Sequence, residues 1–98
     1  MLEKITASGT ADSFGWYCLA MEYRSLGRGA EALKAFVTLR EKDPGYVAMY
    51  LMAGQMLSEA GDKDEARTWV TAGVAEAGRK HDTHALGELE SLLAQLSP

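Results

Sequence analysis

The feature that most constrains this chain is a pair of helical patterns separated by two glycines. The first pattern recurs at intervals of three and four residues, which places its members on one face of a helix; they are Trp16, Leu19, Ala20 and Tyr23. The second pattern has the same rhythm and comprises Ala32, Leu33, Phe36 and Leu39. Gly27 and Gly29 separate the two patterns, and Pro44 ends the second because proline has no amide proton to donate. This stretch therefore predicts a helical hairpin.

The hairpin resembles the tetratricopeptide repeat, whose pattern is W-x2-L-G-x2-Y, then A-x3-F, then P. Ala20 is the one departure from this pattern, which has glycine at that place. The matching residues are Trp16, Leu19, Tyr23, Ala32, Phe36 and Pro44.

A second copy follows at the family period of 34 residues. It departs from the pattern at Ala53, where leucine is usual, and at Gly78, where proline is usual. The residues that keep their character over this period are Trp16 and Tyr50, Ala20 and Gly54, Tyr23 and Leu57, Gly27 and Gly61, Ala32 and Ala66, and Phe36 and Val70.

The resemblance implies an all-α fold in which two helix-turn-helix repeats and a C-terminal capping helix stack in a right-handed arc. We expect a single domain over residues 1–98, with an N-terminal cap at 1–9, repeats at 13–46 and 47–80, and the capping helix within 82–97. A leucine-rich stripe predicts that last helix from about Thr83 to Leu96. The positions where a further helix would pack on it are small or polar, so no partner helix is expected there; they are His84, Gly87, Glu88 and Ser91.

Composition narrows the function classes. The 98 residues carry a formal charge of -4 and no cluster of basic residues, which argues against nucleic acid as a partner. No apolar run approaches the roughly 18 residues that a membrane span needs, and the N-terminal sequence does not resemble a secretory signal. Cys18, the single cysteine, fits a reducing compartment. We therefore expect a cytoplasmic protein without a membrane partner.

No set of residues predicts an enzyme or a cofactor site. Cys18 has no histidine near it in sequence to activate it as a nucleophile. His84 and Glu88 are one helical turn apart and close to His81 and Asp82, but no further ligand follows at a spacing typical of metal sites. A polar helix start explains these four residues more simply, and we expect neither metal nor cofactor.

The remaining candidate is the concave surface that the resemblance implies, on the first helix of each repeat. Family members usually contact ligands there, and an apolar patch rimmed by polar groups is typical of a contact surface. We predict a protein or peptide partner at this surface. The residues at the matching positions are Phe14, Tyr17, Met21 and Arg24 in the first repeat, and Leu51, Gln55, Ser58 and Glu59 in the second.

Two alternatives stay open for this surface. The N-terminal segment or the last helix could fold over the apolar residues and make them part of the core, because so short an array has little apolar surface to spare. The surface could also pair with a second copy of the chain, giving a self-associating subunit.

Overall fold

A computed structural model describes residues 12–96. The N-terminal cap predicted at 1–9 lies outside the described residues. Within them the chain forms five helices and no strand, which confirms the all-α class. The helices are α1 (Ser13–Ser25), α2 (Gly29–Lys42), α3 (Val47–Glu59), α4 (Lys63–Arg79) and α5 (Thr83–Leu96).

The chain divides into two compact units between Tyr46 and Val47. Unit 1 contains α1 and α2, and unit 2 contains α3, α4 and α5. The repeat boundaries given above remain a prediction. None of the helices within residues 12–96 is long and apolar enough to cross a membrane.

In unit 1, polar side chains fix the ends of the two helices. The Asp12 carboxylate accepts a hydrogen bond from the Gly15 amide at 3.0 Å, which satisfies one of the amides that the start of α1 leaves without a helical partner. After α2 ends, the Asp43 carboxylate accepts a hydrogen bond from the Ser13 hydroxyl at 2.6 Å. Ala20 and the α2 residues of the pattern Ala32, Phe36 and Leu39 are buried.

The three turns between consecutive helices within a unit share one backbone geometry. In each, an amide donates to the carbonyl five residues earlier, and the residue before the donor has a positive φ. Glycine fills that place in the first two turns, whereas His81, with φ 57°, fills it in the third. The donors and acceptors are Arg28 and Tyr23, Asp62 and Leu57, and Asp82 and Ala77, at 2.8 to 2.9 Å.

In unit 2, glycines let the helices approach closely. A Cβ on Gly73 of α4 would lie 2.5 Å from the Cβ of Tyr50 and 2.9 Å from Cδ2 of Leu89, closer than carbon atoms can pack. A Cβ on Gly54 of α3 would likewise lie 2.4 Å from a Val70 methyl group. These small residues are therefore required by the packing of α3, α4 and α5.

Aromatic and leucine side chains fill the interior of unit 2. The Trp69 indole is fully buried, and its ring centroid lies 6.1 Å from that of Tyr50. Its Nε1 donates to a Glu65 carboxylate oxygen at 3.2 Å, so the indole N–H has a partner. Leu89 of α5 is also fully buried. The last helix thus supplies core side chains, and it spans the predicted residues.

Candidate functional site

An open groove lies between α3 and α5 in unit 2, with a volume of about 840 Å³. This volume falls within the range of roughly 300–1,000 Å³ that is typical of ligand sites in proteins. Its lining residues are Leu51, Gln55, Ser58 and Glu59 from α3, and Thr83, His84, Gly87, Glu88, Ser91, Leu92 and Gln95 from α5.

The α3 wall of the groove contains all four contact residues that the sequence predicts for the second repeat. Leu51, Gln55 and Ser58 follow at intervals of four and three residues, so they lie on one face of the helix, and Glu59 is adjacent. Leu51 is only 8% exposed, whereas Glu59 is exposed at the end of the helix. This wall is therefore apolar deep in the groove and polar at the rim.

The α5 wall is a polar stripe on a helix whose opposite face is leucine-rich. His84, Glu88, Ser91 and Gln95 are spaced by four, three and four residues. Nε2 of His84 lies 3.4 Å from Oε1 of Glu88, and both side chains are largely exposed, at 89% and 51%. Such a pair contributes little to folding, since solvent screens it.

Gly87 lies in the middle of this stripe. A Cβ placed on it would meet nothing within 4 Å among the described residues. A glycine in a helix interior costs about 0.8–1 kcal/mol relative to alanine, and none of the helices α1 to α5 approaches here closely enough to require it. The backbone of α5 is consequently open to the groove at this point.

Sequence reasoning missed the α5 wall as part of a site. It treated His84, Gly87, Glu88 and Ser91 as positions without a partner helix, and weighed His84 and Glu88 only as metal ligands. The signal that could have found the wall was the polar stripe itself, which continues to Gln95 at helical spacing and includes a glycine where alanine would be more stable.

The predicted contact residues of unit 1 share one face of α1. Phe14 is 62% exposed, while Met21 and Arg24 are half-buried. Tyr17 is also half-buried, because its ring packs on Tyr46 with a centroid distance of 5.3 Å and a tilt of 43°. Burial is the main cause that raises the pKa of both tyrosines.

Unit 1 also has a smaller depression between α1 and α2, with a volume of about 290 Å³. None of the predicted contact residues lines it. Its lining residues are Trp16, Leu19, Tyr23, Glu31, Lys34, Ala35 and Thr38.

The histidines and the cysteine form no metal-binding arrangement within residues 12–96, where no group of three or more His, Cys, Asp or Glu side chains is placed to hold an ion. Cys18 is a half-buried free thiol.

Paired helices, glycines at their contacts and a groove between α3 and α5 define this chain as a helical-repeat protein. Comparison with known families identifies the repeat: the family model described as tetratricopeptide repeat matches residues 23–96. The chain belongs to the tetratricopeptide repeat family. This is a family of protein-interaction modules, and its members are typically non-catalytic.

Solved structures show the same fold. A crystal structure of a tetratricopeptide repeat domain protein from Salinibacter ruber is 28% identical, with a TM-score of 0.80, over 87% of this chain and 96% of that one. A solution structure of such a protein from the same organism gives 28% identity and a TM-score of 0.83, over 88% and 87%. The solution structure of a Bordetella parapertussis protein is 27% identical with a TM-score of 0.82, over 97% of this chain and 83% of that one. Among curated protein sequences, none matches this chain.

Proposed function

We propose that this protein is a non-catalytic interaction module that holds an extended or helical segment of another protein. The observation that carries the proposal is the open groove between α3 and α5, with its lining of Leu51, Gln55, Ser58 and Glu59. The sequence resemblance selects these four residues independently of the groove. Membership of a family of interaction modules supports the same conclusion.

The composition of the groove suits a peptide ligand better than a small metabolite. Leu51 and Leu92 offer apolar contact, while Gln55 and Gln95 can each donate to and accept from a peptide backbone. The groove is open and includes exposed polar residues such as Glu59 and Gln95, as the rims of protein-binding surfaces commonly do.

In unit 1 the proposed contact residues are Phe14, Tyr17, Met21 and Arg24. Phe14 supports this assignment because its large apolar side chain is 62% exposed and therefore available for contact. Tyr17 can add apolar area from the exposed part of its ring.

Photo-crosslinking from the groove tests the proposal. A benzophenone amino acid placed at Gln55, which is half-buried in the α3 wall, reports on whatever lies within the groove. The same probe at Thr71, exposed on α4 and outside the groove lining, is the matched control. We expect a discrete band of a different protein from native lysate with the Gln55 probe and none with the Thr71 probe.

Two other results would contradict the proposal. A band at twice the mass of the chain would establish self-association, the alternative function, with a second copy in the groove. The absence of any band specific to Gln55 would show that the groove does not engage protein. Tyr17 is a poorer probe position, since a substitution there also removes its contact with Tyr46.

A further inference from the structure

We infer that the groove between α3 and α5 takes a segment in which a lysine or arginine stands close to a bulky apolar residue. This inference rests on the proposed function and gives the chemistry of its partner. Charge, apolar area and backbone access within the groove each contribute to it.

The charge of the groove lining is negative. Within residues 12–96, the lining includes the carboxylate of Glu88, whose side chain is 51% exposed, and no lysine or arginine. His84, beside Glu88, offsets that charge only when it is protonated. A basic side chain gains from such a surface, whereas an acidic segment is repelled. A second copy of this chain, with a formal charge of -4, is also repelled overall.

The apolar part of the groove includes Leu92, which lies one helical turn from Glu88 on α5. Leu51 on α3 and Leu92 on α5 both line it, and Leu92 is half-buried. Leu51 is only 8% exposed, so Leu92 offers more of the apolar area, and a bulky apolar side chain packed on it would remove that area from water, which favours binding. The partner segment therefore needs both an apolar and a basic side chain.

Gly87 lets the segment come close to α5. Gly87 has no Cβ, and nothing in residues 12–96 lies within 4 Å of where one would stand, so a partner backbone can approach the helix directly. Glu88 follows Gly87 in the chain, and Ser91 lies one turn further on. The exposed backbone at Gly87 and the Glu88 carboxylate can therefore contact neighbouring residues of the bound segment.

Selection from a random peptide library displayed on phage tests this chemistry with the full chain as bait. We expect the selected peptides to share a lysine or arginine near a leucine, phenylalanine or similar residue. The peptide with the highest affinity is then synthesised together with a version in which its basic residue is glutamine. The glutamine version should bind more weakly, and raising the salt concentration should narrow the difference because ions screen exposed charges.

Substitutions in α5 test whether the basic peptide binds in the groove. Glu88→Gln should weaken binding of the basic peptide by about two- to five-fold, as expected for one exposed ion pair. Glu90→Gln removes an equal charge from the same helix at an exposed position outside the groove lining, so it should leave the affinity unchanged. Equal affinities for both variants and the wild type would overturn the inference.

Different results would contradict the proposed interaction function and the proposed chemistry of the bound segment. Selected peptides that are neutral or acidic, yet lose affinity when Gly87 is replaced by glutamine, would overturn the basic-segment inference and leave the interaction function standing. A library that yields no binder, or binders insensitive to that replacement, would contradict both.

Discussion

The two faces of α5 differ in how closely other residues pack against them. On one face Leu89 is fully buried and presses on α4 where Gly73 leaves room for it. On the other face Gly87 also lacks a side chain, yet no atom of the part of the chain that the structure describes lies within 4 Å of the place its Cβ would take. One glycine is thus explained by packing within the chain and the other is not.

This difference teaches how to separate structural from functional glycines in a helical repeat. Both cost helix stability, since glycine loses more conformational freedom on folding than other residues. Only at Gly73 does close packing, against Tyr50 and Leu89, offset that loss of helix stability. Gly87 does not, and it differs from Gly78, a second helix glycine in open surroundings, in that it lines the groove proposed to bind a partner.

The largest expected effect is a loss of stability when Gly73, the closely packed glycine, is replaced. In Gly73→Ala the new Cβ would overlap the Cβ of Tyr50, which is fixed to the backbone and cannot swing away. We expect a loss of about 1–3 kcal/mol in the free energy of unfolding, the usual range for overpacking a core. Chemical denaturation monitored by circular dichroism measures it. An unchanged or raised stability would remove the distinction between the two faces of α5.

A smaller change of opposite sign is expected at the open glycine. Gly87→Ala should raise the free energy of unfolding by up to about 1 kcal/mol, because alanine favours the helix and its methyl group meets nothing. Gly78→Ala is the matched control, since Gly78 also lies within a helix in open space. If Gly87→Ala destabilises the protein while Gly78→Ala does not, Gly87 has a structural role that its open surroundings do not reveal.

The smallest effect concerns Tyr17 in unit 1, which is neither fully packed nor open. Because burial raises its pKa above the ordinary value, the unfolded chain ionises first. Its contribution to stability is therefore complete below about pH 10 and is lost as the pH rises through the folded-state pKa. We expect the wild type to lose more stability than Tyr17→Phe between neutral and alkaline pH, measured by urea denaturation. Equal losses in the two proteins would place Tyr17 in water.

Much of the fold could be predicted from the sequence because packing of paired helices leaves a periodic pattern. Ala20 and Ala32 are buried as the hairpin pattern predicts, and the last helix begins and ends at the predicted residues. These features depend on spacings within one or two helices, which a single sequence displays directly.

The candidate site could be predicted only on one wall. Leu51 and Gln55, which line the groove, occupy repeat positions where the family resemblance implies ligand contacts, so the sequence predicts them as contact residues. His84 and Glu88 were not, because α5 lacks the repeat pattern and its polar stripe looks the same whether it faces bulk solvent or a groove. Whether the stripe faces solvent or lines a groove depends on the distance between α3 and α5, and no spacing of residues within one helix determines that distance.

The central claim is that the open face of α5 binds a protein segment. Its most direct test is crosslinking from the Gln55 probe in two further variants, Gly87→Gln and Gly78→Gln, after thermal melts show that both fold. Glutamine fills the groove at Gly87 without adding charge or an apolar patch, while at Gly78 it points into space outside the groove lining. We expect the partner band to disappear with Gly87→Gln and to persist with Gly78→Gln. Persistence of the band in both variants would contradict the claim.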